Sequence, residues 1–126
     1  MAIYEHPRFL KEIPASIGKL SNLKKLQIYD FLYQLEYLPE SIGRLKNLEE
    51  LYIADCWRLK ELPDSIGQLS NLKRLVLSGV RNSLANLDRL PDSIGQLTSL
   101  ENLIIHDTPV KSLPDTLGNL NNLVYL

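Results

Sequence analysis

One phrase returns five times in this chain, and it limits the folds open to it. It stands at Ile13–Leu23 (IPASIGKLSNL), Leu38–Leu48 (LPESIGRLKNL), Leu62–Leu72 (LPDSIGQLSNL), Leu90–Leu100 (LPDSIGQLTSL) and Leu113–Leu123 (LPDTLGNLNNL). Its prolines fall at 14, 39, 63, 91 and 114, in steps of 25, 24, 28 and 23. A period in the twenties is the mark of a solenoid of stacked turns. Five of the six glycines and five of the seven prolines lie inside the copies. The punctuation of the chain is therefore the repeat itself.

Each turn opens on a short alternating segment. Leu51 and Ile53 alternate with Glu50, Tyr52 and Ala54, the period of a strand with its aliphatic side turned inward. The same window recurs as Leu26–Tyr29, Leu75–Ser78 and Leu103–His106. Equivalent strands at a fixed spacing stack in parallel about 4.8 Å apart. An apolar residue then returns inward at Leu10, Leu35, Leu59, Leu87 and Val110, three residues before the Leu or Ile that precedes proline. The Pro-acid-Ser-Ile-Gly piece predicts a short helix or 3₁₀ turn on the opposite side, with proline at the first helical position. The acids Glu40, Asp64, Asp92 and Asp115 suit its positive end. Ile66 and Leu69 share one face beneath the strands, and Gly67 lets adjacent turns come close. Asn22, Asn47, Asn71 and Asn122, with Ser99 once in their place, precede the next strand. There asparagine would tolerate a left-handed helix end. No turn covers its own leucines; stacking must do it.

These residues resemble leucine-rich repeats over nearly the whole chain, in the intracellular LPxxIGxLxxLxxLxL form. The segment Leu48-xx-Leu51-x-Ile53-xx-Cys56-xx-Leu59-xx-Leu62-Pro63 is similar to the cysteine-bearing turns of plant nucleotide-binding resistance proteins. Similar turns occur in bacterial effectors injected into host cells and in Ras-pathway scaffolds. The Gly-x-Ile-Pro signature of extracellular receptor kinases is not the pattern here. The resemblance implies an α/β fold: a right-handed horseshoe solenoid with a parallel sheet on its concave face and short α or 3₁₀ helices on its convex face. It implies residues 1–126 as one repeat domain of about five turns, binding other proteins on the concave sheet. One position departs from the family. The turn residue usually given to asparagine reads His6, Phe31, Cys56, Val80 and Thr108. Cys and Thr replace it in part and Phe31 and Val80 do not, so a ladder of hydrogen bonds there should be interrupted.

Met1–Tyr4 aligns with Leu51–Ala54, and Leu123–Leu126 aligns with the start of another strand. Neither end carries the polar cap of a free-standing array. The expectation is a fragment of a longer protein, the alternative a small complete domain that self-associates end to end. Two turns, 30–37 and 78–89, are overlong and either bind something or have drifted.

Charge sets limits on partners. There are 14 basic and 15 acidic residues in 126, for a net charge of −1 with no basic block. That gives no support for nucleic acid or a membrane surface as partner. One cysteine rules out an internal disulfide framework. MAIYEHPRFL lacks the character of a secretion signal, and no Asn-x-Ser/Thr sequon occurs, so a cytoplasmic location is expected.

Catalytic chemistry has little to build on. His6 and Cys56 share a repeat position two turns apart, roughly 10 Å, too far for proton exchange or shared metal ligation. His106 and Asp107 are neighbours whose side chains should point to opposite sides of a strand. Every repeated glycine is isolated, so no phosphate loop exists. No cofactor and no metal is expected. Binding has more. Outward strand positions form files across the sheet: Lys25, Glu50, Arg74 and Asn102; then Ala2, Gln27, Tyr52, Val76 and Ile104; then Tyr4, Tyr29, Ala54, Ser78 and His106. Beyond them lie Glu5, Asp30, Asp55, Gly79 and Asp107. Tyr52, Val76 and Ile104 should face water on consecutive strands, as interaction patches do. The partner-binding set is Tyr4, Gln27, Tyr29, Glu50, Tyr52, Arg74, Val76, Asn102, Ile104 and His106. The acidic edge would meet a basic partner or bond local N–H groups. Trp57, just past a strand, would close over its own turn or else serve as an anchor at the edge of the sheet. The alternative from another class is that these turns form the target-recognition or autoinhibitory arm of a larger enzyme: a resistance-type ATPase or a ubiquitin-transferring effector.

Overall fold

The computed structural model describes residues 1–4, 12–29, 34–79 and 86–126. Five strands, β1 (Ala2–Tyr4), β2 (Lys25–Tyr29), β3 (Glu50–Ala54), β4 (Arg74–Ser78) and β5 (Asn102–His106), form one sheet in sequence order. Every neighbouring pair is parallel. Among the described residues each strand is followed by a 3₁₀ helix: η1 (Ala15–Lys19), η2 (Glu40–Arg44), η3 (Asp64–Gln68), η4 (Asp92–Gln96) and η5 (Asp115–Asn119). Strands pack on strands and helices on helices, each only against its neighbours in the stack. The result is an α/β leucine-rich repeat solenoid with a strand wall on one side and a helix wall on the other.

The alternation in sequence produces this directly. Leu26, Ile28, Leu51, Ile53, Leu75, Leu77 and Leu103 point inward and are buried. Leu35, Leu59 and Leu87 return to the same core as expected; Val110 packs against it half-buried, and Leu10 lies outside the described residues. Ile66 and Leu69 are fully buried beneath the strands. Burial of one such leucine contributes about 1.5–3 kcal/mol.

Backbone ladders tie the turns. The carbonyls of Lys24, Glu49, Lys73 and Glu101 each accept two N–H groups from the next turn, at 2.8 to 3.1 Å. The rung at Val124 and Tyr125 is the beginning of the further strand expected there, with Tyr125 bridged in parallel to Asn102.

Proline stands one place earlier than expected. Pro63 is the N-cap of η3, extended at φ −65° and ψ 148°, and its carbonyl accepts Ile66 N–H at 2.9 Å. The other four helices repeat this cap. The ring fixes the φ that both positions share. A five-residue 3₁₀ helix needs the extended residue to bring the chain in from the strand side.

The asparagines act differently too. Asn47 Nδ2 donates to Ser21 O, Asn71 Nδ2 to Lys46 O and Asn122 Nδ2 to Thr98 O, each at 2.7 Å. Ser99 Oγ continues the file by donating to Ser70 O. None of these residues is left-handed; among the described non-glycine residues only Asp55 and Asp107 are. A side-chain ladder between turns therefore exists, at this position. At the turn position examined for it in the sequence, Cys56 is buried with Sγ 3.3 Å from Ala54 O, and Thr108 Oγ1 accepts Val110 N–H at 3.4 Å. His6, Phe31 and Val80 lie outside the described residues, as do 30–33 and 80–85 of the two overlong turns.

On the helix wall, glycine is required by close approach. A Cβ on Gly67 would lie 2.5 Å from Ser93 O, and one on Gly43 2.4 Å from Ser65 O. The serines opposite are small for the same reason, and the hydroxyls of Ser41, Ser65 and Ser93 are buried without a hydrogen-bond partner.

Candidate interaction face

The parallel register fixes the open face of the sheet. Lys25 pairs with Glu50, Glu50 with Arg74 and Arg74 with Asn102. Two residues on, Ala2, Gln27, Tyr52, Val76 and Ile104 stand in file, and then Tyr4, Tyr29, Ala54, Ser78 and His106. All ten residues singled out in the sequence thus share one wall. For Tyr4 only the backbone position is described.

The wall is less bare than the sequence implies. Tyr52, Val76 and Ile104 are half-buried, not freely exposed, because strands about 4.8 Å apart flank each side chain with the next. Tyr52 is further enclosed. Lys25 Nζ stands 4.8 Å from its ring centroid and the Arg74 guanidinium 5.9 Å from it. Its hydroxyl donates to Glu50 Oε2 at 3.2 Å, the oxygen that also meets Lys25 Nζ at 3.0 Å. Cation and ring attract through the ring quadrupole, so the tyrosine is held upright in a charged frame. The bond from Lys25, then that from Tyr52, then the charges of Lys25 and Arg74 hold the Glu50 carboxyl below its ordinary range against the pull of desolvation, and the Glu50 bond raises Lys25. Beside it, Gln27 Nε2 donates to Tyr29 Oη at 3.2 Å.

One step outside the first file runs a second: Lys24, Glu49, Lys73 and Glu101. Glu49 bridges Lys24 at 3.5 Å and Lys73 at 3.2 Å, and the Lys73 bond is the chief reason its carboxyl titrates low. A third group lies between the return segments of two turns. Glu36 meets Lys60 at 2.8 Å and Arg58 at 2.6 Å; the Lys60 bond first and then the Arg58 charge lower its carboxyl, and the same bond raises Lys60. Lys60 Nζ also lies over the ring of exposed Tyr37, 5.1 Å from its centroid. These charge files escaped the sequence reading. Their signal was present as opposite charges recurring at the repeat spacing.

At the far edge of the strands the structure corrects one expectation. His106 Nδ1 lies 3.1 Å from Asp107 Oδ2. Asp107 has left the strand with φ 51°, and this turn brings its carboxylate back beside the imidazole. Asp55, at the equivalent place, has φ 58°; aspartate tolerates this backbone better than most residues. Glu5 and Asp30 lie outside the described residues. Gly79 in the same file is buried, its N–H bonded to His106 O at 3.0 Å. Trp57 is 36% exposed, so it covers its turn only in part, and its carbonyl accepts Asn86 Nδ2 at 2.6 Å.

Away from this wall, a cavity of about 320 Å³ opens between the third and fourth turns, where the step is longest, lined by Glu61, Asp64, Arg89 and Asp92 among others. Among the described residues no cluster of three or more His, Cys, Asp or Glu could hold a metal ion. Among them, too, no helix is long and apolar enough to cross a membrane.

Comparison with known proteins agrees with this architecture. Residues 6–80 match the family model of the R13L1/DRL21 leucine-rich repeats. The leucine-rich repeat domain of the type III effector XopL superposes with a TM-score of 0.51 at 24% identity, over 92% of this chain and 56% of that one. A leucine-rich repeat protein of Leptospira interrogans aligns at 30% identity with a TM-score of 0.47, over 91% of this chain and 39% of that one. The chain thus spans about four-tenths to just over half the length of these two structures. No curated protein matches it significantly.

Proposed function

The chain belongs to the R13L1/DRL21 leucine-rich repeats, a non-catalytic repeat fold of the protein-interaction kind, and from that premise we propose that it recognises a protein partner on its concave sheet wall. The observation carrying this is the file Tyr52, Val76 and Ile104, three uncharged side chains in register on consecutive strands and open to solvent on one side only. Tyr29 extends the patch, and Glu50, Arg74, Asn102 and His106 rim it. Aromatic and aliphatic side chains already held by their neighbours lose little freedom on binding. Polar rims add selectivity more than strength.

The test is a double variant, Tyr52→Asp with Ile104→Asp. Proteins retained by the immobilised chain are compared with those retained by the variant, and both are melted by circular dichroism. The expected result is loss of retained partner from a variant that still melts cooperatively. An unaltered set of partners on a folded variant overturns the assignment.

We further propose a cytoplasmic setting and a place in plant defence signalling, as the recognition arm of a longer polypeptide. The cysteine-bearing turn Leu48–Pro63 supports this through its likeness to resistance-protein repeats. Sequencing the flanking reading frame checks it. An upstream phosphate-binding loop supports the resistance-type ATPase, whereas a downstream ubiquitin-transferring domain would place the arm in an effector.

A further inference from the structure

We infer that the sheet wall selects a carboxylate carried within two residues of an aliphatic side chain in an extended partner segment, received at the corner formed by Arg74, Asn102, Val76 and Ile104. This rests on the reading that the wall is the docking surface. The cations bordering the wall are not alike. Lys24, Lys25 and Lys73 each meet a carboxylate within 3.5 Å. Among the described residues no carboxylate lies within 4.0 Å of Arg74, which is exposed. The acid in register with it, Glu50, is committed to Lys25 and to the Tyr52 hydroxyl through one oxygen. Glu101 follows Lys73 in the outer file, its N–H bonded to Lys73 O. The Arg74 guanidinium leans toward the Tyr52 ring, which supplies attraction but accepts none of its five N–H donors in the plane of the fork. Such a fork is matched by a carboxylate taken bidentately.

The rest of the corner defines what accompanies the acid. Asn102, half-buried and in register with Arg74, adds an amide. Val76 and Ile104 lie two residues along the same face, about 6–7 Å away. No charged residue shares their file. At the far edge stand Asp55 and Asp107, the latter beside His106. The wall thus changes along the strands: paired charges of both signs at the start with Arg74 among them, uncharged side chains in the middle, and aspartates at the end.

A phage-displayed random dodecapeptide library selected on the immobilised chain tests this. Individual enriched peptides are then titrated against the parent chain, Arg74→Gln, Arg74→Glu and the Tyr52→Asp, Ile104→Asp double variant. Enrichment of Asp or Glu within two residues of Val, Leu or Ile is expected. Arg74→Gln should weaken those peptides about tenfold or more, the weight of a lost charged hydrogen bond. Selection on Arg74→Glu should turn to Lys and Arg. A pool without acidic preference, an unenriched pool included, overturns the inference. So does equal affinity for Arg74→Gln, provided its circular dichroism matches the parent. Peptides lost by the double variant but indifferent to position 74 sink this inference and leave the docking wall standing. Peptides that bind the double variant undiminished sink the docking wall itself.

Discussion

The third and fifth turns carry almost the same words, LPDSIGQLSNL and LPDTLGNLNNL, and differ greatly in burial. Leu62 is 3% exposed and Leu113 is 39% exposed. Ile66 and Leu72 are fully buried, while Leu117 and Leu123 are half-buried. A Cβ on Gly67 collides with the next turn; one on Gly118 meets nothing within 4 Å. Composition and local conformation are shared, so the difference comes from neighbours. Within residues 1–126 the third turn lies between two others and the fifth beside one. The phrase specifies the shape of a turn, and the turns beside it supply most of the stability.

The sharpest way to break this comparison is at one repeat position with unequal cover. Leu69 is fully buried and Leu20, its equivalent in the first phrase, is 40% exposed. Leu69→Ala should cost about 2–5 kcal/mol, and Leu20→Ala clearly less, by urea denaturation of each variant. Equal costs would mean that sequence position alone sets the contribution.

Glycine sharpens the point through a change of sign. Gly67→Ala should destabilise by about 1–3 kcal/mol, as forced overpacking does, because backbone cannot yield at 2.5 Å. Gly118→Ala should stabilise by about 0.4–1 kcal/mol, since its φ is not positive and the alanine has open space. Thermal melts of the two variants decide it, and a shift of the same sign in both refutes the argument.

The smallest effect is expected from acid. Glu36, Glu49 and Glu50 join turns at the centre of the stack and all titrate low. A carboxyl lowered in the folded state stabilises above its unfolded value, near 4.5, and that stability is lost as pH falls through the folded value. The urea midpoint should therefore drop below about pH 4.5. Glu36→Gln should flatten part of that drop, and adding salt should mimic it. An unchanged pH profile in the variant would remove the ion pairs from the account.

The stack was legible because its signal is repetition. Leucine spacing gives the strand, its recurrence gives the parallel order, and matching the inward pair of each strand to that of the next gives the register although the turns differ in length. What escaped depends on finer events than spacing. The meeting of His106 with Asp107 follows from one left-handed residue at a strand end. The asparagine ladder follows from where a side chain reaches, not from the backbone it tolerates. Tyr52 is enclosed by Lys25, Glu50 and Arg74 on three different strands, and no reading of one turn reveals that. That Arg74 differs from the lysines beside it, in having no carboxylate within 4.0 Å among the described residues, is visible only once those lysines have found their acids.

The outer file Lys24, Glu49, Lys73 and Glu101 reads plus, minus, plus, minus, and Lys25, Glu50 and Arg74 run beside it in the same phase. Tandem repetition invites loss of a whole unit when a gene is copied. Excising the unit that holds Glu49 and Glu50 would set Lys24 against Lys73 and Lys25 against Arg74, two repulsions where attractions had been. Excising the next would bring Glu49 against Glu101. The aliphatic interior would close over either deletion, whereas the polar border would exchange opposite neighbours for like ones.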